Sequence, residues 1–285
     1  MVENTGKLYV VATPIGNLGD ITYRAVEILR AAGIIVSEDT RRTQKLLGHL
    51  AISKPLISYY KDKERQRAEE IVVKLLEGTD IALVSDAGTP AVSDPGSILV
   101  KRCYEEKIPV LPIPGPSSLT TALSVSGFVQ TPFIFLGFLP SRRGQRRKLL
   151  TAYARHQENL VFFESANRLQ AAVKDCLDIL GDRPAFLARE LTKIHEELLR
   201  QDLSVLELAL SRRNKIKGEC VVIISGAEKQ QGIDTGDLEE LLRWHRDHTD
   251  MSLKEVVHHI AVDLNISRSQ VYKKALEVFK GGNTE

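Results

Sequence analysis

Residues 85–96, SDAGTPAVSDPG, and residues 113–118, IPGPSS, have the composition best able to grip a small ligand. Prolines stiffen both stretches, while Gly88 and Gly115 let a ligand approach the backbone. Ser117 or Ser118 can cap a following helix or bond the ligand. Neither stretch fits GxxxxGK[ST] or GxGxxG, and neither carries the P-loop lysine, which argues against a polyphosphate. A second group of charges ends apolar runs: Glu164 with Arg168 nearby, Arg189 with Glu190, and Glu219 beside Gly218. Charges that terminate buried strands either line a cleft or form ordinary surface ion pairs. A third group is basic. Arg142, Arg143, Arg146, Arg147, Lys148 and Arg155 lie in a stretch, 108–157, without one acidic residue. Such a loop suits the phosphates of a polynucleotide.

The elements that must position these residues follow from apolar periodicity. IALV at 81–84 reads as a buried strand and SILVKRCYEE as a helix, with Asp94 as its N-cap and Pro95 at its first position. The Gly/Pro loop between them then sits at the carboxyl end of a strand, where open α/β sheets bind ligands. KLYVVATP, GIIVSEDT, LISYY and IPVLP supply further strands, alternating with helices that begin near Thr22, Arg41 and Lys61. Alternation of this kind predicts a parallel sheet over residues 1–112. A second α/β unit over 113–228 contains TPFIFLGFLP, NLVFFES, RPAFLARELT and KGECVVIISGA as strands. The polar stretch from 227 reads as a linker. Three helices then fill 233–285, with Ser252 and Ser267 as N-caps and the last two resembling a helix-turn-helix. That tail holds ten acidic and seven basic side chains, a poor match to nucleic acid, so packing is an equal reading.

Composition narrows the class. A net charge of +2 leaves no global nucleic-acid signature, so any basic site must be local. Cys103, Cys176 and Cys220 are far apart and form no CxxC, which predicts a reducing, cytoplasmic setting without disulfides or a metal site. Residues 108–141 carry no charge at all, but six prolines interrupt them, so a buried junction is expected rather than a membrane span.

Taken together, VATPIGNLGDIT, SEDTRRTQKLL, SDAGTPAVSDPG, PIPGPSS, GFLP, FFESANRL, ARELTKIHEE and KGECVVII resemble the tetrapyrrole methylase superfamily. Within it they resemble the ribosomal RNA small subunit methyltransferase I family. The resemblance spans residues 6–228 and extends to the helical tail. It implies two α/β domains around a deep cleft, S-adenosylmethionine as cofactor, and homodimers. The implied activity is 2′-O-methylation of a cytidine ribose in the decoding region of 16S rRNA, with naked rRNA or the small ribosomal subunit as partner. The chain departs from tetrapyrrole-modifying relatives in two places. IGNLGD at 15–20 replaces GxGPGD, and AGTP at 87–90 replaces a GGDP-like segment.

Carried over by position, the resemblance places Pro14 and Ile15 at the border of the cofactor. Asp86, Ala87, Gly88, Thr89, Pro90 and Val92 hold its methionine part, and Ser117 and Ser118 touch it from the next loop. Phe163, Glu164, Arg189, Glu190, Gly218, Glu219 and Cys220 close on the adenosine. Methyl transfer to a weakly acidic hydroxyl needs alignment together with a base or a nearby cation. Glu190 or Asp39 would serve as base, and Lys193 or Arg41 would steady the developing charge or hold the neighbouring phosphate; a structural ion pair or an RNA anchor is an equal reading for each of the four. Arg142, Arg143, Arg146, Arg147 and Lys148 are the expected RNA contacts. Two other functions fit parts of the chain: methylation of a tetrapyrrole or other small acceptor, and nucleic-acid binding without catalysis.

Overall fold

The computed structural model describes residues 5–128, 132–228, 235–264 and 266–280. The chain divides into two compact units, Met1–Ala227 and Glu228–Glu285. Most of the stretch read as a linker (229–234), together with Thr131 and Asn265, lies outside the described residues.

The first half of the larger unit runs β1 (Leu8–Val11), α1 (Tyr23–Ala31), β2 (Ile34–Ser37), α2 (Thr40–His49), β3 (Leu56–Ser58), α3 (Glu64–Leu76), β4 (Ile81–Val84), α4 (Ser97–Glu105) and β5 (Val110–Ile113). The strands pair in the order β3-β2-β4-β1-β5, every pair parallel. This is the sheet that the alternation predicted. β4 is buried along its whole length, because a central parallel strand has helices over both faces. All the loops that follow β1, β2, β4 and β5 therefore emerge on one edge.

The second half runs α5 (Ser118–Ser126), β6 (Phe133–Phe138), α6 (Arg143–Ala152), β7 (Asn159–Ser165), α7 (Ala166–Leu180), β8 (Pro184–Arg189), β9 (Glu197–Asp202), α8 (Leu203–Ser211) and β10 (Glu219–Ile224). Its sheet has the order β6-β7-β10-β8-β9. Only β6 and β7 are parallel; β10 runs antiparallel to both β7 and β8, and β8 to β9. Phe162, Leu187 and Val222 stack across the central strands without solvent exposure. The charge-free stretch 108–141 contributes β5, α5 and β6. Among the described residues no helix is long and apolar enough to cross a membrane.

Two sheet-ending loops are stitched across the unit. The backbone N–H of Asn17, after β1, donates to Thr192 Oγ1, after β8, at 3.0 Å. Gly16 lies so close to that second loop that a Cβ would stand 2.5 Å from Lys193 Cγ and 2.9 Å from the Leu191 carbonyl oxygen. Only glycine allows this approach. Gly16→Ala is expected to cost ~1–3 kcal/mol through overpacking. At ~2–4 °C per kcal/mol, a thermal melt reads this directly, and a Tm within about 1 °C of wild type would contradict it.

The smaller unit contains α9 (Thr235–His248), α10 (Leu253–Asp263) and α11 (Arg268–Lys280). Leu242, Val256, Ile260, Val271 and Ala275 form its core. Ser252 caps α10 in a reciprocal capping box with Glu255, as the Ser-x-x-Glu spacing predicts. Lys274 on α11 pairs with Glu239 on α9 at 3.1 Å.

Candidate active site

The strand ends of the two sheets enclose a cleft of about 230 Å³. The parallel sheet contributes Ile15 after β1, Glu38 and Arg42 after β2, and Asp86, Ala87, Ser93 and Asp94 after β4. Ser118 opens α5 beside them. The mixed sheet contributes Phe138, Phe163, Glu164, Ala188, Glu190, Leu191, Lys193, Glu219, Cys220 and Val221. The antiparallel placement of β10 explains the second group. Its first residues lie beside the last residues of its neighbours, pairing Cys220 with Glu164 on one side and with Arg189 on the other. Carboxylates distant in sequence thus converge.

Each carboxylate has its own environment. Glu164 is buried to 1% exposure. It accepts the Ser165 N–H at 2.8 Å and pairs with Arg168 at 3.0 Å. Burial outweighs these partners and pushes its carboxyl above the usual range. Glu190 is held the other way. Partial burial raises it, but Lys193 at 2.8 Å and the Glu219 N–H at 3.1 Å prevail, and the carboxyl stays below the usual range. Lys193 also reaches Glu219 at 3.3 Å. The same contacts outweigh its own desolvation and raise it. Glu190 and Thr192 adopt left-handed backbone, φ +53° and +64°. Strain of this kind is kept where a loop must present side chains in one direction. Gly218, at φ +101°, passes so near that a Cβ would sit 2.4 Å from the Glu190 carboxyl carbon.

Asp94 stands apart. It makes no hydrogen bond or ion pair among the described residues, and burial followed by the Glu38, Asp86 and Glu219 carboxylates pushes it up to about 6. It is not the N-cap expected of it. Gly96, at φ +147°, holds that position instead, and α4 begins at Ser97. The Gly96 N–H donates to Glu64 Oε1 at 2.9 Å, so the loop turns toward α3 and leaves Asp94 facing the cleft. Cys220 is buried and burial pushes its thiol up to about 12, the setting of an inert structural cysteine.

Of the residues expected at the cofactor, Ile15, Asp86, Ala87, Ser118, Phe163, Glu164, Glu190, Glu219 and Cys220 line the cleft. Others build its walls. Thr13 and Gly88 exchange backbone hydrogen bonds at 2.9 Å, and Thr89 Oγ1 donates to the Pro116 carbonyl, tying the two Gly/Pro loops together. Pro90 is buried, Val92 faces solvent, Ser117 is the N-cap residue of α5, and Pro14 lines a neighbouring cavity. Arg189 does not reach the cleft, because Glu197 at 2.8 Å and the Lys217 carbonyl hold it elsewhere. The spacing signal could not show this, since Glu197 lies on the adjacent strand β9.

Of the expected catalytic side chains, Glu190 and Lys193 line the cleft; Asp39 and Arg41 do not. Asp39 caps α2 by accepting the Arg41 N–H, and its carboxylate pairs with the Arg41 guanidinium at 3.1 Å, which lies 88% exposed. An N-cap carboxylate serves the orphan donors of its helix. Arg146 is also corrected: it is 4% exposed, with two nitrogens on Asp175 at 2.9 and 2.6 Å. Arg143 and Arg147 share that buried carboxylate at 3.1 and 3.0 Å. Arg142 and Lys148 have no such partner among the described residues and keep exposed positions. Glu38, Arg42, Ser93, Asp94 and Phe138 also line the cleft; Glu38 directly after β2, Arg42 in the first turn of α2, Ser93 and Asp94 in the loop after β4, and Phe138 at the end of β6 are the strand-end signals that point to them.

Six carboxylates against Arg42 and Lys193 make the cleft acidic, and Ile15, Phe163, Leu191 and Val221 give it an apolar wall. That combination suits a cationic ligand with a flat apolar part, as a sulfonium-bearing nucleoside has. Comparison with known proteins agrees. The family model described as tetrapyrrole (corrin/porphyrin) methylases matches residues 7–207. "Ribosomal RNA small subunit methyltransferase I" of Thermotoga maritima is 49% identical over 225 residues, 78% of this chain and all of that protein. The protein of the same name from Synechocystis is 41% identical over 97% of this chain and its own full length. Among solved structures, uroporphyrin-III C-methyl transferase from Thermus thermophilus, complexed with S-adenyl homocysteine, shares the fold. Its TM-score is 0.57 at 18% identity, over 76% of this chain and 97% of that one. The methyltransferase CobJ does so at TM-score 0.60 and 17% identity, over 78% of this chain and 95% of that one.

The fold and the acidic, apolar-walled cleft define a methyltransferase with S-adenosylmethionine as cofactor. The chain belongs to the tetrapyrrole methylase family and, within it, to the ribosomal RNA small subunit methyltransferase I family. Membership in a family of methyltransferases displaces the reading of a binder without catalysis.

Proposed function

We propose that the chain methylates the 2′-hydroxyl of a cytidine ribose in the decoding region of 16S rRNA, acting as a homodimer in the cytoplasm on rRNA or the small ribosomal subunit. The observation that carries the choice of RNA over a tetrapyrrole is the likeness, at 41% identity over 97% of the chain, to a relative named for ribosomal RNA. The two α/β segments, 1–112 and 113–228, serve as lobes, and the tail from 233 as an accessory helical domain. When bound, S-adenosylmethionine supplies a methyl group on a sulfonium, whose sulfur leaves as a neutral thioether.

The acidic cleft holds that positive charge, with Glu38, Asp86 and Glu164 among the carboxylates that line it. Phe163, Leu191 and Val221 provide the face for the adenine. Asp94 accepts the proton of the attacking hydroxyl, since of the cleft's two aspartates it is the one without a hydrogen-bond or ion-pair partner among the described residues. Glu190 and Glu219 hold Lys193 as a fixed cation beside the developing oxyanion. Arg142 and Lys148 remain available for the RNA backbone.

Incubation with radiolabelled S-adenosylmethionine and small subunits from a strain lacking the enzyme is expected to label one cytidine. Nuclease mapping should place the label at a ribose that resists alkaline cleavage, as a 2′-O-methyl group requires. Label on a base, or on an added tetrapyrrole with none on the rRNA, would refute the assignment.

A further inference from the structure

A second cavity, of about 160 Å³, adjoins the cleft and shares Arg42 and Asp86 with it. The character of its lining is opposite. The cleft is crowded with carboxylates, whereas this cavity has Arg42 and Lys45 against Asp86 alone. That aspartate is already engaged: Oδ1 accepts the Asp39 N–H at 3.0 Å, and Oδ2 lies 3.4 Å from Arg42 Nη1. Lys45 has no hydrogen-bond or ion-pair partner among the described residues. It stands three residues beyond Arg42 on α2, so both project from one face of the helix.

The hydroxyls around the cavity do not compete for a ligand. Thr13 Oγ1 donates to the Ser85 carbonyl, Thr43 Oγ1 to the Asp39 carbonyl and Ser85 Oγ to the Gly88 carbonyl. They fix the walls and leave Lys45 as its unpaired cation, beside Arg42, whose Nη1 is turned to Asp86. Pro14, Leu18 and Leu46 form the remaining surface. Two cations beside a small apolar wall match one unit of a polynucleotide, with its anionic linkage and the edge of a sugar or base.

We propose that this cavity is a phosphodiester subsite, in which Arg42 and Lys45 hold a backbone phosphate of the RNA strand whose ribose enters the neighbouring cleft. The proposal rests on the rRNA reading. It explains why a chain with a net charge of only +2 needs no broad basic surface: the register of the strand is set by a phosphate anchored one subsite from the chemistry.

The test compares wild type, Lys45→Ala and Lys45→Glu on small ribosomal subunits from the enzyme-deficient strain, across a range of salt concentrations. Lys45 is exposed, so both variants should fold. Calorimetry with S-adenosylmethionine serves as the control. The expected result for Lys45→Glu is a rise of at least ~10-fold in KM for the subunits, for an interaction of about 1.4 kcal/mol. Cofactor affinity should stay within about twofold of wild type, since a residue outside the cleft makes no contact with that ligand. For Lys45→Ala the log–log salt dependence of subunit binding should lose about one unit of slope, the signature of one phosphate contact. An active wild type whose two variants keep the same KM and salt slope would overturn the subsite alone. A wild type that binds the cofactor but does not methylate the subunits would overturn the rRNA reading, and the subsite with it.

Discussion

Asp94→Asn is expected to lower methyl transfer to rRNA by ~10²–10⁴-fold, the usual contribution of a positioned general base. The amide has nearly the shape of the carboxylate but cannot take a proton. Cofactor affinity, measured by calorimetry, should fall much less, because five other carboxylates line the same cleft. In the wild type, activity should decline as pH falls through about 6, where Asp94 becomes protonated. The variant's residual activity should lack that limb. If Asp94→Asn kept wild-type turnover and the same acid limb, the proton would go elsewhere.

The same substitution should stabilise the protein. In the folded state Asp94 is pushed up to about 6 by burial and by neighbouring carboxylates, whereas in the unfolded chain it titrates near 3.8. The folded state therefore holds its proton more tightly. Stability falls as pH rises from about 4 to about 6, and the deficit persists above that range. Asn removes the deficit. Because the side chain is partly solvated, the gain at neutral pH is about 1 kcal/mol. That corresponds to a Tm higher by ~2–4 °C, which should vanish below pH 4. A substitution that raised stability while lowering turnover would give Asp94 the profile of a functional residue.

Arg146→Ala is expected to destabilise the protein by ~3–5 kcal/mol, because it leaves Asp175 buried without its closest partner. Asp175 is 1% exposed, and Arg146 supplies two of its contacts. Denaturant unfolding followed by circular dichroism measures this. Arg142→Ala, at an exposed position, should leave the midpoint unchanged within ~0.5 kcal/mol while weakening subunit binding. If Arg146→Ala unfolded at the wild-type midpoint and lost only RNA affinity, the buried cluster would be a recognition surface after all. Arg143 and Arg147 fall between these extremes, since each gives one contact to Asp175 and keeps part of its guanidinium in solvent.

What the amino-acid sequence determined is what local physics determines. Apolar alternation placed β1 to β5 and their helices, and so the parallel sheet. Gly88, Gly115 and the flanking prolines marked the loops at the strand ends, and Ser252 marked the start of α10. These signals act within a few residues, so they can be read along the chain. Long motifs in order pointed to the family and to nine of the residues that line the cleft.

The tertiary structure alone decided which charges meet. Glu164, Glu190 and Glu219 converge only because β10 inserts antiparallel between β7 and β8, a pairing that side-chain periodicity does not encode. Asp39 caps α2 and Asp94 faces the cleft, the reverse of the places their spacing predicts. Asp-Pro at the head of a helical run predicts a cap, but the hydrogen bond from Gly96 to Glu64, 32 residues away, moves the helix start and frees the carboxylate. Arg146 looked like its basic neighbours until α6 packed on α7 and brought Asp175 against it. Burial of a charge depends on what folds over it, and that is settled by contacts between segments far apart in the chain.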